Sequence, residues 1–401
     1  APARAAGGLG LLAAPLATAA LVIGAVGGPL GAFPRDGVRL TWLGGGGGLH
    51  LPTPTISVAS GAQSFVPGWA KWNYSGYEGK PDHAEYETVV ATMAQVGRDI
   101  GCGRAMWEYE PELNRFGTPM ALMLLPYWTD GCIGSMEGLF FESSATVPYH
   151  FLNQSELSLT PSRAMRDLPY RGLDVRKGVE HLRLLGVRYY MALSPEAKAQ
   201  AQVDPGLRLV ASTPAFTVDD YPSGPQVRSW AIFEVLGADL VAPLTNEPVV
   251  VESGVQGKHG WLDASVEWYQ DASRWDVLLA DGGPSQWQRV AGAVPNPPRR
   301  PVKPAAVRNI QAGTDTISFD VDRPGAPVVV RASYFPNWKV SGAEGPWRVT
   351  PNLMVVVPTS THVELRYGWT GVDAAGMLLT LAALGGAGWL LVQDRRSRPT
   401  P

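Results

Sequence analysis

The sequence predicts an α/β domain plus a small β-sandwich domain, flanked by transmembrane helices. Three observations carry that reading. Uncharged apolar stretches lie near both ends, helical periodicity alternates with short apolar runs through the middle, and period-two alternation fills the segment before the second stretch.

The first stretch, Leu9 to Phe33, is long enough to cross a hydrocarbon core that needs roughly 20 residues. We assign 1–36 to this span and its flank. A cleaved signal peptide is the rival reading, although the run exceeds an ordinary signal core. The second stretch, Ala374 to Gln393 in a span assigned to 371–393, is equally free of charge and is followed by a tail at 394–401. Arg395, Arg396 and Arg398 beyond it, and Arg4 before the first, favour the cytoplasmic side. Tyr367 and Trp369 lie at the other end of the second span, as interfacial aromatics do. The expectation is a cell-membrane protein whose main domain is extracytoplasmic and whose C-terminal tail is cytoplasmic. The chain opens on Ala1 rather than Met, and we read it as a piece of a longer protein.

Composition narrows the function. A net charge of −3 gives no basic footprint for nucleic acid, so the bilayer itself is the first expected partner. The 14 tryptophans suit core corners, membrane interfaces and sugar rings alike. Cys102 and Cys132 are the only cysteines, and an extracytoplasmic setting permits a bridge between them, with two free buried thiols as the alternative. Two cysteines and six scattered histidines offer no metal-site spacing, so no metal site and no cofactor is evident.

Between the spans, 37–293 forms the α/β segment. The Gly-rich run Gly44 to Gly48 lacks the Lys-Ser/Thr ending of a phosphate loop and reads as connection. Apolar residues at Val89, Val90, Met93, Val96 and Ile100 predict a helix over 82–100, stopped by Gly101. Residues 103–158 mix aromatics, carboxylates and glycine with little periodicity, which predicts loops packed around a site. Val175 to Leu185 reads as a short helix and 187–193 as a strand. Ser194-Pro195 caps a helix near 197–202. Strands follow near 207–212, 229–235 and 249–252, then a helix near 261–273 and a strand at 276–280. Five prolines make 294–305 a stiff linker. Alternation at Ile317, Phe319 and Val321, then in 328–334, 354–357 and 363–365, places the β-sandwich at 306–370.

The run ASYFPNWKVSGAEG at 332–345, followed by VVVPTSTHVELRYGW and the closing span, resembles the C-terminal end of YfhO-type bacterial membrane proteins, which overlap the 6-pyruvoyl-tetrahydropterin-synthase-related membrane proteins. Tyr334, Pro336, Trp338 and Lys339 match the family's turn, with Asn337 where Gly is commoner. GVEHLRLLGVRYYMAL at 178–193 and WAIFEV at 230–235 are similar to its middle region. The resemblance implies the C-terminal part of a GT-C-type glycosyltransferase that uses a lipid-linked sugar on envelope glycans. It also implies a catalytic carboxylate in an early loop that nothing here matches, and a divalent metal is conceivable only in that longer enzyme. The family name mentions pterin chemistry, but the zinc-binding His triad of such a synthase is missing.

Sugar transfer needs a carboxylate base and cationic help for the departing phosphate. The richest supply is at 104–142. There the substrate-binding candidates are Arg104, Trp107, Glu108, Trp128, Asp130, Glu137 and Glu142, with His150 just beyond. The alternative is a structural network in which Arg104 and Arg115 neutralise these carboxylates. Trp69, Trp72, Tyr74 and Tyr77 fit either sugar stacking or interfacial anchoring. The other function class is a non-catalytic, membrane-anchored module that binds glycan or protein.

Overall fold

The computed structural model describes residues 39–41, 55–57, 66–136, 145–219, 221–253, 257–292 and 295–397. The first apolar stretch lies outside them. The chain divides into two compact units, Ala1–His83 with Arg115–Gly117, and Ala84–Asn114 with Thr118–Pro401.

In the first unit β1 (Arg39–Thr41) pairs antiparallel with β2 (Thr55–Ser57), and helix α1 (Val66–Tyr74) follows. The Trp72 indole donates to the Gly117 carbonyl at 3.1 Å. The Lys80 ammonium lies 4.8 Å from the centre of that indole, a cation–π contact.

The second unit begins along α2 (His83–Asp99), which buries Val89, Met93 and Val96 at helical spacing. Next come β3 (Gly103–Trp107), the one-turn helix α3 (Leu125–Trp128) and β4 (Ile133–Ser135). Cys102 and Cys132 are joined as a disulfide, which holds the starts of β3 and β4 together. Closing a loop with a sequence separation of 30 contributes about 3–4 kcal/mol on the chain-entropy account. Helix α4 (Val147–Leu157) is buried at every position. Helix α5 (Val175–Leu185) starts where the Asp174 side chain accepts from the Lys177 N–H at 3.1 Å, and it stops at Gly186, whose φ of 66° is left-handed. Strand β5 (Tyr189–Ala192) leads to α6 (Pro195–Val203), capped by Ser194 as expected. Strands β6 (Leu207–Ser212), β7 (Phe216–Val218), β8 (Gln226–Arg228) and β9 (Ala231–Val235) follow. The sheet runs β4-β3-β5-β9-β6, with β3 parallel to both β4 and β5 and β9 antiparallel to its neighbours.

The remaining elements form two further sheets and a final helix. They are β10 (Val241–Pro243), β11 (Val249–Ser253), α7 (Gly257–Gln270), β12 (Leu279–Ala280), β13 (Arg289–Ala291), β14 (Val307–Ala312), β15 (Thr316–Val321), β16 (Val328–Val330), β17 (Trp338–Ser341), β18 (Ala343–Val349), β19 (Leu353–Pro358), β20 (His362–Tyr367) and α8 (Gly371–Ser397). One sheet has the order β10-β16-β19-β18-β12-β11-β13, the other β14-β15-β20-β17. Alternation along β16 and β19 divides the interior in two. Val328, Val330, Met354 and Val356 face the four-stranded sheet and pack on Phe319, Val363 and Leu365. Val329 and Val355 belong to a larger core with α4, α5 and α7. A strand pair with apolar residues on both faces is the expected signature of a middle layer.

The proline-rich linker therefore does not divide the sheets. Strands β10 to β13 precede it and β16, β18 and β19 follow it, yet all seven share one sheet. The linker itself joins in, since Val302 donates its N–H to the Thr245 carbonyl at 2.9 Å. The α/β segment and the sandwich are thus sewn together through β12 and β18, where Ala280 pairs with Val349.

Along α8, Gly371–Gln393 is the one helix among the described residues long and apolar enough to cross a membrane, and none of it is covered by protein. Leu378, Leu381, Leu384 and Trp389 are all at least 60% exposed. A helix that is apolar all round and uncovered lacks the solvent face of a surface helix.

Candidate functional site

The site with the most chemistry gathered in one place lies just past the C-terminal end of β12. There Asp281 donates its backbone N–H to the Arg348 carbonyl on β18 at 3.1 Å. In the antiparallel register this puts the two side chains on facing positions. No ion pair joins them among the described residues. The Arg348 Nε instead donates to the Asn352 Oδ1 at 2.7 Å, and its guanidinium lies 4.7 Å from the centre of the Trp261 ring. Its terminal nitrogens are left without a hydrogen-bond partner among the described residues.

The surroundings hold this arrangement in place. The Trp261 Nε1 on α7 donates to the Pro351 carbonyl at 2.8 Å. Asn352 is buried, and its Nδ2 donates to the Thr146 Oγ1 at 3.0 Å. Tyr334 donates its N–H to the Asn352 carbonyl at 2.9 Å, which brings its ring near Arg348 and Asp281. After Asp281 come two glycines. A Cβ on Gly283 would lie 2.3 Å from the Trp287 ring, so only glycine lets this loop pass the indole. Trp287 in turn meets the half-buried Trp347 at 5.4 Å between ring centres.

The electrostatics are those of a partly desolvated cluster. Asp281 keeps an open face to solvent, yet the surrounding protein pushes its carboxyl up, with Arg348 pulling the other way. Burial lowers the Arg348 guanidinium, opposed by Asp281 and by the phenols of Tyr149 and Tyr334. Burial also raises Tyr334, and Asp281 adds to it. Clustered shifts of this kind are commoner at binding and catalytic sites than elsewhere. The set offers a planar donor fork, a carboxylate, a phenol and an indole flank. It suits a polyhydroxylated ligand, whose hydroxyl groups take the charged pair and whose C–H face takes the ring.

The residues singled out from sequence are dispersed by comparison. Glu108, at the end of β3, is buried, and its Oε2 accepts from the N–H groups of Leu193 and Ser194 at 2.7 and 2.8 Å. Its Oε1 accepts from Leu159 N–H at 3.3 Å. Trp107 is fully buried. Arg104 is paired with no carboxylate among the described residues. Its Nη2 donates to the carbonyls of Leu185, Gly186 and Arg331, where α5 ends. Burial lowers Arg104 to about 10, with the neighbouring Arg331 adding to the effect. Arg115 lies 3.8 Å from Asp82 in the first unit. The Trp128 Nε1 donates to the Tyr86 hydroxyl at 2.8 Å, while Asp130 is exposed with a φ of 49°. His150 is buried on α4 within 3.4 Å of the Gln154 amide. Glu137 and Glu142 lie outside the described residues. The described candidates thus occupy separate surroundings, and Glu108 takes its hydrogen bonds from backbone N–H groups rather than from Arg104 or Arg115.

Two features escaped the sequence reading. One is the Asp281–Arg348 pair, for which the signal was a strand followed by Asp-Gly-Gly, the form a site takes at a strand's C-terminal end. The other is a buried dyad in which His181 Nδ1 lies 2.5 Å from Glu156 Oε2 and His181 Nε2 lies 2.9 Å from the Tyr269 carbonyl. The imidazole stacks on the Tyr269 ring at 3.8 Å, and that ring meets Tyr149 at 5.2 Å. One proton lies between Nδ1 and Oε2, whichever atom holds it.

Among the described residues, no group of three or more His, Cys, Asp or Glu side chains is placed to hold a metal ion. In comparisons with known proteins, no family model, no curated protein and no solved structure matches this chain.

Proposed function

We propose that this chain is a membrane-anchored envelope protein whose Asp281–Arg348 site binds a glycan. In the larger setting implied by the YfhO-type resemblance, it positions the acceptor for a GT-C-like transferase that uses a lipid-linked sugar. The observation that carries the reading is the Arg348 guanidinium, held on Trp261 and Asn352 beside Asp281 with its terminal nitrogens unclaimed. A guanidinium fixed in orientation before the ligand arrives loses little freedom on binding. The uncovered apolar helix α8 supports the membrane anchor, and the exposed position of Asp281 just after β12 supports access to the site.

One observation favours binding without chemistry as a second reading. Glu108, the carboxylate at the end of β3, is buried and takes its hydrogen bonds from the backbone N–H groups of Leu159, Leu193 and Ser194, a holding role in the fold.

Full-length protein in membranes is assayed with labelled polyprenyl-phosphate sugars and, separately, for binding of envelope oligosaccharides. The expected result is saturable binding that weakens at least about tenfold in Arg348→Ala, equivalent to ~1.4 kcal/mol. Binding with no transfer from any donor selects the second reading. Neither binding nor transfer ends both.

A further inference from the structure

We infer that the four-stranded sheet rests on the bilayer, with Phe335, Tyr367 and Trp369 set in the lipid headgroup layer, so that the domain is held at a fixed attitude rather than hung from a flexible tether. The inference rests on the reading of α8 as a membrane span and goes beyond it.

Three exposed rings surround the start of α8. Phe335 is 48% exposed, Tyr367 40% and Trp369 64%. Phe335 and Tyr367 lie 6.1 Å apart between ring centres, and Trp338 meets Tyr367 edge-on at 5.4 Å. Exposed rings of this size concentrate where one end of a side chain is apolar and the other wet. Their continuity with α8, which no protein covers, names the occupant as a phospholipid surface.

The junction between sheet and helix is also unusually well tied. Asn337 accepts from the Gly368 N–H at 3.0 Å through its carbonyl, while its Nδ2 donates to the Gly368 carbonyl at 2.8 Å and to Asp373 Oδ2 at 3.1 Å. Lys339 Nζ donates to the Trp369 carbonyl at 2.8 Å. Asp373 Oδ2 accepts from the Thr370 N–H at 2.7 Å and caps the first turn. Strands β17 and β20 are paired right up to this point, with Trp338 opposite Tyr367. Residues 368–370 thus have no slack in which the helix could swivel against the sheet.

The test places a nitroxide on a single added cysteine in the full chain in phosphatidylcholine–phosphatidylglycerol nanodiscs. The two native cysteines are bonded to each other, so the added thiol is the reactive one. Collision with oxygen is compared with collision with a water-soluble nickel chelate at Phe335→Cys, Thr361→Cys and Leu384→Cys. Thr361 lies at the far end of β20, roughly 20 Å from Tyr367. The expected result is an oxygen-to-nickel ratio several-fold higher at 335 than at 361, with 384 higher still. Label 335 as wet as 361, with 384 in lipid, overturns the inference and leaves the span standing. Label 384 in water removes the span and the inference with it.

Discussion

Asp281 and Arg348 face each other across the single Ala280–Val349 bridge that joins two parts of the seven-stranded sheet, and their charges are close without being paired. Replacing Arg348 by Lys keeps the charge but removes the fork and the flat contact with Trp261. We expect glycan affinity to fall about tenfold with little change in folding. Equal affinity in isothermal titration of Arg348→Lys and wild type would show that the fork is not used.

Glu108 is expected to matter for stability. Glu108→Ala strips the acceptor from the buried N–H groups of Leu193 and Ser194 at the start of α6, which costs about 2–5 kcal/mol for two orphaned donors. Glu108→Gln keeps one oxygen and costs less. Urea unfolding of the three proteins checks the order, and a Glu108→Ala protein as stable as wild type would show that water replaces the carboxylate without cost.

His181 and Glu156 depend on each other. Removing the ring in His181→Ala leaves a buried carboxylate without its partner and a gap beside Tyr269. The loss should reach about 3–5 kcal/mol. In the double variant Glu156→Leu/His181→Phe, both polar partners go and a ring still stacks, so much of that loss should return. Additive losses in a double-mutant cycle would argue that the two groups are not coupled.

Glu234 gives the fold an acid-sensitive point. Burial alone pushes its carboxyl up, but hydrogen bonds and charge from Arg188 and Arg208 outweigh that and hold it below the usual value. A lowered folded pKa means stability fully present above the unfolded value, about 4.3 for Glu. That stability is lost as pH falls through the folded one. Arg208→Gln should therefore lower stability at neutral pH while changing it little at pH values where Glu234 is protonated, which flattens the dependence of stability on pH below about 4.5. An acid limb identical to wild type, measured by thermal unfolding across that range, would count against the pairing.

Legibility in the sequence followed where local pattern and tertiary role agreed. Helices α2, α5 and α6 were readable because caps, glycine stops and one buried stripe mark them, and β15 and β20 because they alternate cleanly. Helix α4 was read as loop because it has no outer face. Asn153, Gln154, Ser155 and Glu156 are as buried as Leu152, so no period of 3.6 survives. Strand β18 was hidden by Gly345 and Pro346, which fall at the register shift between Glu344 and Trp347. The site itself was unreadable for a further reason. Asp281 and Arg348 are brought together by one antiparallel bridge between distant segments, and no local spacing encodes that meeting.

The turn that begins at Tyr334 works as a ruler. Tyr334 touches the surroundings of Arg348, and Lys339, five positions on, grips the carbonyl of Trp369 at the foot of α8. Five residues span at most about 18 Å, which puts an upper limit on the backbone distance between Tyr334, beside Arg348, and Lys339, at the foot of α8. For the lipid-tethered glycan proposed above, that limit makes the length of the spacer between lipid and sugar a determinant of which molecules reach Arg348.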